Sequence, residues 1–181
     1  MSTSASTLTM RPFDRAEIPL LHAALTTHAD LVLWSGTQLH WPLTQDQLRS
    51  YVDNANVDHM ILSAVADHDT VVGHASVRVT PAHRSARIGR VLVYPDHRGR
   101  GYGAALMTAV LDIIFGQRGL HRASLGVFQH NARALGLYER LGFTREGVLR
   151  DVALVDGEWW PLVEMGLLET EYQQPRVDPR P

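Results

Sequence analysis

The sequence predicts a mixed α+β domain, one twisted mixed sheet of about seven strands flanked by about four helices. Three stretches predict it. From Val91 to Val127 the order is β-branched run, glycine-rich turn, apolar helix, second apolar run. Such a unit makes two parallel strands joined by a right-handed crossover. From His59 to Val93, three apolar runs separated by short polar turns read as an antiparallel meander. From Phe143 to Leu168, two runs flank Val155-Asp156-Gly157-Glu158, which carries the Asp-Gly hairpin signal.

Taken in order, residues 1–7 are small and polar and are expected to be a disordered tail. Leu8 to Phe13 reads as a first strand closed by Pro12. Asp14 is an N-cap for a helix to Leu25, with Ile18, Leu21, Ala24 and Leu25 at helical spacing. Thr26 to Leu43 is rich in Trp, His and Leu and receives no assignment. Thr44, with Gln47 at the capping-box position, starts a helix through Asn54. His59–Ala66 and Thr70–Thr80 form a hairpin, with Gly73 marking a bulge. Ala86–Val93 follows as the third meander strand. The helix from Gly101 to Phe115 is apolar almost all round, broken by Thr108 and Asp112, and is therefore expected to be buried against the sheet. Arg122–Val127 is a strand. Asn131 opens a helix that Gly142 ends. The last two strands follow, and residues 173–181 form a Pro-rich, charged tail expected to be disordered. No linker divides the chain, so residues 8–170 are expected to form one domain.

Composition removes several function classes. The formal charge of the 181 residues is −2, which offers no basic surface for nucleic acid. With no cysteine there are no disulfides, thiolate metal sites or cysteine nucleophiles, in keeping with a cytoplasmic protein. No apolar run reaches membrane length, and the N-terminal residues lack a basic-then-apolar signal pattern. Ten histidines are present, but none pair as H-x-x-x-H in a helical pattern, so no metal is expected.

The chemistry starts at the turn, VLVYPDHRGRGYG. Pro95 ends the strand. Gly99, Gly101 and Gly103 let the backbone approach a ligand closely. Successive N–H groups and the following helix N-terminus favour an anion, and Arg98 and Arg100 add formal charge. A P-loop would place Lys and Ser/Thr after the last glycine, where Ala104 and Ala105 stand. A Rossmann fingerprint would carry an acid roughly twenty positions on, where Leu120-His121-Arg122-Ala123 stands. What remains is Arg98-x-x-Gly101-x-Gly103. A second constellation follows, N-x-x-A-x-x-x-Y-x-x-x-G-F from Asn131 to Phe143. Asn131 and Tyr138, seven apart, project along one helix face.

The first pattern resembles the pyrophosphate-binding signature of the GNAT superfamily of acyl-CoA-dependent N-acetyltransferases, and the second resembles that superfamily's other motif. The resemblance spans roughly Val71 to Leu168. It implies the GNAT fold, with the parallel pair splayed at the cofactor site and pantetheine in the gap against Val91, Leu92 and Val93. It implies pyrophosphate on Arg98, Gly99, Arg100, Gly101, Tyr102 and Gly103, with Asn131 on the pantetheine arm and Tyr138 as general acid to the leaving thiolate. The implied reaction is direct transfer of acetyl from acetyl-CoA to a primary amine, on a small molecule, an amino-acid-like antibiotic or a protein N-terminus. Trp34, His40 and Trp41 fall where the family builds acceptor pockets, and Trp159 and Trp160 offer a further wall. Many relatives carry a Glu base in the strand before the turn. Here that segment reads Ala86-Arg87-Ile88-Gly89-Arg90, leaving His74, Glu164 or His40 as candidates. Arg87 and Arg90 instead offer partners for an acidic group on the acceptor. The competing reading is a non-catalytic acyl-CoA sensor or partner-assembly module, against which Tyr138 argues. The expected partners are an amine acceptor and, at most, a second copy of the chain as a homodimer, with neither nucleic acid nor membrane.

Overall fold

The computed structural model describes residues 8–172; the expected tails at 1–7 and 173–181 lie outside them. Seven strands form one sheet, β1 (Thr9–Pro12), β2 (His59–Ala66), β3 (Thr70–Thr80), β4 (Ser85–Val93), β5 (Arg122–Phe128), β6 (Thr144–Val155) and β7 (Glu158–Leu168). Their spatial order is β1-β2-β3-β4-β5-β7-β6. Every neighbouring pair is antiparallel except β4–β5, which is parallel. Helices α1 (Ile18–Ala23), α2 (His28–Ser35), α3 (Gln45–Asp53), α4 (Tyr102–Leu111) and α5 (Ala132–Arg140) flank it. Among the described residues no helix is long and apolar enough to cross a membrane.

The unassigned stretch after Leu25 holds α2. Its signal was a capping box: the Thr27 hydroxyl accepts from the Asp30 N–H, and the Asp30 carboxylate accepts in return from the Thr27 N–H. The expected helix from Asp14 to Leu25 is shorter. Asp14 caps a 3₁₀ turn, Arg15–Glu17, and α1 ends at Ala23. α4 is buried as its apolar sequence requires. Leu106, Met107, Val110 and Leu111 meet Val77, Val79, Ala86 and Ile88 of the sheet. It then loosens into a π-helical turn, Asp112–Gln117. The polar Asp112 accepts a hydrogen bond from the Tyr172 hydroxyl at 2.8 Å. At the other end of the chain, Asp156 and Gly157 take the positive φ values, 48° and 91°, of a tight hairpin turn.

Two irregularities shape the sheet. The β2–β3 register shifts between Ala64 and Val65, opposite Gly73 and Val71, so the bulge expected at Gly73 is present. A Cβ on Gly73 would lie 2.6 Å from the Leu92 carbonyl oxygen and 2.9 Å from Leu106 Cδ1, so no side chain fits there. The β3–β4 register also shifts. Ser76 faces Gly89 while His74 faces Leu92, so β4 carries one extra residue. Arg90 lies in that bulge at φ 51°.

The opposite face of the sheet packs against α1, α2 and α3 through Leu21, Leu31, Trp34, Leu48, Tyr51 and Ile61. His74 is sealed inside that layer. Its Nε2 pairs with the Tyr51 hydroxyl at 3.0 Å, its Nδ1 has no partner, and the Phe13 ring stands edge-on at 5.0 Å. Burial, helped by the charge of Arg90, lowers its pKa from 6.5 to about 3. As pH falls, the unfolded chain therefore takes up this proton first. The stabilisation is intact above pH 6.5 and is lost progressively toward 3. By pH 5 the loss from this group is about 2 kcal/mol. Urea unfolding at pH 7 and pH 5 checks this. Wild type is expected to lose about 2 kcal/mol more than His74→Gln across that interval, and equal losses would refute it.

Candidate active site

Parallel pairing between β4 and β5 lasts only from Ser85–Arg87 opposite Arg122–Ser124. Beyond Arg87 the strands diverge. The extra residue at Arg90 bends β4 away, and β5 continues straight into its pairing with β7. Divergence strips β4 of backbone partners on one side, and one orphan is satisfied by a side chain. The Trp34 indole N–H donates to the Arg90 carbonyl at 2.8 Å.

The gap opens into a cavity of about 490 Å3. Val91, Leu92 and Val93 form one wall, and Ala134, Leu137 and Tyr138 of α5 another. Its floor is the glycine turn. Gly99 and Gly101 take φ values of 79° and 83°, and Gly101 stands at the head of α4 with no capping side chain. The first-turn N–H groups therefore have no side-chain acceptor, which is the usual make-up of an anion site. Arg98 reaches back to donate from Nε to the Val93 carbonyl at 3.1 Å, tying turn to strand. The charged lining residues are Arg98, Arg133 and Arg140, with His97 beside them and no carboxylate among them. A narrow cleft with an apolar lane, an uncapped helix head and only cationic charge fits an elongated polyanion.

Asn131 and Tyr138 both face this cavity, as their seven-residue spacing predicts. Asn131 Oδ1 caps α5 by accepting from the Ala134 N–H at 3.2 Å, which leaves its amide N–H groups free for a ligand. Tyr138 is 8% exposed and packs against Phe143. Burial alone pushes its hydroxyl pKa up to about 12, so it is protonated across the working pH range.

Three further cavities continue from the cleft on the α2–α3 face. The first, about 200 Å3, shares Val91, Leu92, Arg98 and Asn131 with it. The second, about 280 Å3, is reached past Leu33 and Trp34 and runs beside Gly89, Arg90, Gly126 and Phe128. The third, about 720 Å3, adjoins it at Gln38 and Arg90. Of the residues expected at the acceptor, Trp34 lines the first two and His40 the third. Trp41 departs from that expectation. It is exposed beside His28, and none of these cavities includes it. Arg100, expected at the phosphates, is exposed and absent from the cleft lining, because the turn presents Arg98 and the glycines instead. Trp159 is exposed, and Trp160 packs on His130 and Phe128.

Two base candidates do not serve. His74 is sealed in the core and lines none of the cavities described above. Glu164 is held by Arg87 through two bonds of 2.8 Å. The sequence reading missed Leu137, Arg133, Arg140 and His97 in the cleft, and Arg78, Tyr51 and His59 in the 720 Å3 cavity. Leu137 neighbours Tyr138 on the helix predicted from Asn131, so a helical wheel finds it. Arg133 and Arg140 lie on that same helix, His97 in the turn after β4 and Tyr51 on α3, whereas Arg78 and His59 are brought together by strand register, which no local pattern displays. Among the described residues no group of three His, Cys, Asp or Glu side chains converges as a metal site.

A model of the acetyltransferase (GNAT) family matches residues 28–143. The spermidine N(1)-acetyltransferase of Vibrio cholerae is 24% identical over 167 residues, covering 92% of this chain and 96% of that protein. The phosphinothricin N-acetyltransferase of Streptomyces coelicolor is 28% identical over 125 residues, covering 66% of this chain and 72% of that one. The crystal structure of spermidine N-acetyltransferase from V. cholerae in complex with CoA and spermine superimposes with a TM-score of 0.82 at 23% identity. It covers 92% of this chain and 98% of its own, a likeness of fold.

The turn makes a paired prediction. Open space surrounds a Cβ at Gly101, so Gly101→Ala is penalised only by its φ of 83° and should cost about 1–2 kcal/mol of stability. Gly103 sits inside α4 with its nearest contact at an ordinary 3.6 Å, so Gly103→Ala should gain about 0.5–1 kcal/mol. Thermal unfolding of the two variants reads the contrast, and a shift of the same sign in both would contradict it.

Proposed function

The chain belongs to the GNAT family of acetyltransferases and is an N-acetyltransferase, and on that premise we propose how its own residues carry the transfer. The observation that supports the reading is the gap between β4 and β5, opening directly onto an uncapped, cationic helix head. Acetyl-CoA fits both parts. Its pantetheine lies along Val91 to Val93, where β4 lacks a strand partner. Its pyrophosphate rests on the backbone of Gly99 to Gly103 with Arg98 beside it. Asn131 donates to the pantetheine arm. The thioester supplies an activated acetyl group at the inner end of the cleft, beside Leu92 and Tyr138.

The acceptor amine arrives unprotonated from the α2–α3 face and attacks the thioester carbonyl carbon. A C–N bond forms and the C–S bond breaks. A backbone N–H of the diverging β4 segment holds the developing oxyanion. Tyr138, kept protonated by its raised pKa, donates its hydroxyl proton to the departing sulfur, and the proton that the attacking nitrogen loses passes through water and restores the tyrosine. No covalent enzyme intermediate is needed, in keeping with a chain that has no cysteine. The acceptor is a small-molecule or peptide amine. A cytoplasmic location is part of this reading, and use of acetyl-CoA as donor is in keeping with it.

Burial is the sole cause of the Tyr138 shift, with no hydrogen bond contributing, so Tyr138→Phe removes a proton donor and little else. Turnover is expected to fall about 10²–10⁴-fold with melting temperature and CoA affinity nearly unchanged. Full activity in this variant would move proton transfer elsewhere. Arg98→Ala is expected to weaken CoA binding by about 1–3 kcal/mol, measured by calorimetry.

A further inference from the structure

The face of the sheet on the acceptor side carries cationic groups that the transfer itself does not use. His59, Arg78 and Arg87 stand opposite one another on β2, β3 and β4, so their side chains rise from the same face. Arg87 is matched by Glu164. Arg78 and Arg90 are not, and the ion pairs among the described residues include neither.

Arg90 is held in place at some cost. Its backbone lies at φ 51°, which a non-glycine residue seldom adopts without a reason. Its guanidinium lies 4.3 Å from the Tyr51 ring centroid and 5.7 Å from that of Trp34. One terminal nitrogen donates to Gln38 Oε1 at 2.7 Å, and its Nε is buried with no partner. Arg90 and Arg78 both line the 720 Å3 cavity. The acid lining it, Asp46, is engaged by Arg49. The excess of positive charge is felt by His59, whose pKa is lowered first by burial and then by Arg78. Two guanidiniums without carboxylates, one fixed by aromatic rings, form a receptor for an oxyanion, because planar guanidinium donors match carboxylate and phosphate geometry.

Arg90 also lines the smaller groove beside the cleft and immediately precedes Val91 in the chain. Adjacent Cα atoms are about 3.8 Å apart, so an anion held by Arg90 lies within a small molecule's length of the thioester. We propose that the acceptor is a primary amine that also carries an oxyanion group, carboxylate or phosphoryl, and that Arg90 and Arg78 bind that group. This rests on the reading that the amine meets the thioester beside Val91 and Leu92. It sets this chain apart from relatives named for spermidine, a polycation that these two arginines repel.

The test uses probe pairs that differ only in the anion: 2-aminoethyl phosphate against ethanolamine, β-alanine against β-alaninamide, and phenylalanine against phenylalaninamide, with spermidine alongside. Calorimetry on CoA-loaded protein reads binding, and thiol release from acetyl-CoA reads kcat/KM. The anionic member of at least one pair is expected to win by tenfold or more in both measurements, and the winning pair tells carboxylate from phosphoryl. That preference should shrink toward unity in Arg78→Gln and in Arg90→Gln, and should weaken as salt is raised. Arg78 is exposed, so its variant keeps the test valid should Arg90→Gln fail to fold. Three results overturn the proposal: no anionic member preferred, spermidine preferred over all, or a preference that survives Arg78→Gln. CoA titrated into the same proteins separates the two levels. If CoA binds and charge is ignored, only the acceptor assignment falls. If CoA does not bind, the cofactor reading falls with it.

Discussion

One extra residue in β4 governs the rest of the molecule. A parallel pair of strands is most stable when its ladder runs to the end, and here the ladder stops after three residue pairs. The bulge at Arg90 follows shortly after the last paired residues and bends β4 while keeping it bonded to β3 on its other side. A hydrogen-bonding edge is thereby opened in the middle of a sheet, where it is shielded from edge-to-edge association by strands on both flanks. The backbone beside the gap must find other partners. Trp34 meets one from outside the sheet, and an amide-bearing ligand suits the rest.

The two faces of the sheet divide the work electrostatically. On the α4–α5 side the positive charge belongs to a helix head and to arginines around a narrow cleft, and it suits phosphates. On the α2–α3 side it belongs to guanidiniums set among Tyr51 and Trp34 rings. A buried neutral histidine lies behind them and adds no charge of its own at neutral pH. The aromatic layer lowers the local dielectric around Arg90, and a paired anion gains more there than on open surface.

Much of this was legible in the chain, and the limits are physical. The strand–turn–helix order and the Asn131–Tyr138 spacing are local, so they survive translation into a fold intact, and the cleft follows from them. α2 was missed because its apolar face, with Leu31, Val32 and Trp34, is broken by polar residues and its signal lay in the Thr27–Asp30 cap. Trp41 and Arg100 stand outside the cavities described because composition cannot say which way a loop side chain turns. Arg78 and His59 were invisible for a different reason. Their partnership with Arg90 depends on strand register, a relation between positions far apart in sequence. His74 read as a candidate base because its type is right for proton transfer, but its alternation on β3 places it inward.

Gly73 lines none of the cavities described above, yet a Cβ there would collide with both a neighbouring strand and a helix. Any larger residue must displace either the Leu92 carbonyl, which belongs to the cleft wall, or Leu106, which belongs to the core. The position of Leu92 in the cleft wall is therefore set partly from behind the sheet. Variation confined to cleft-lining positions would pass over this site, and with it a direct mechanical link between interior packing and the cleft wall.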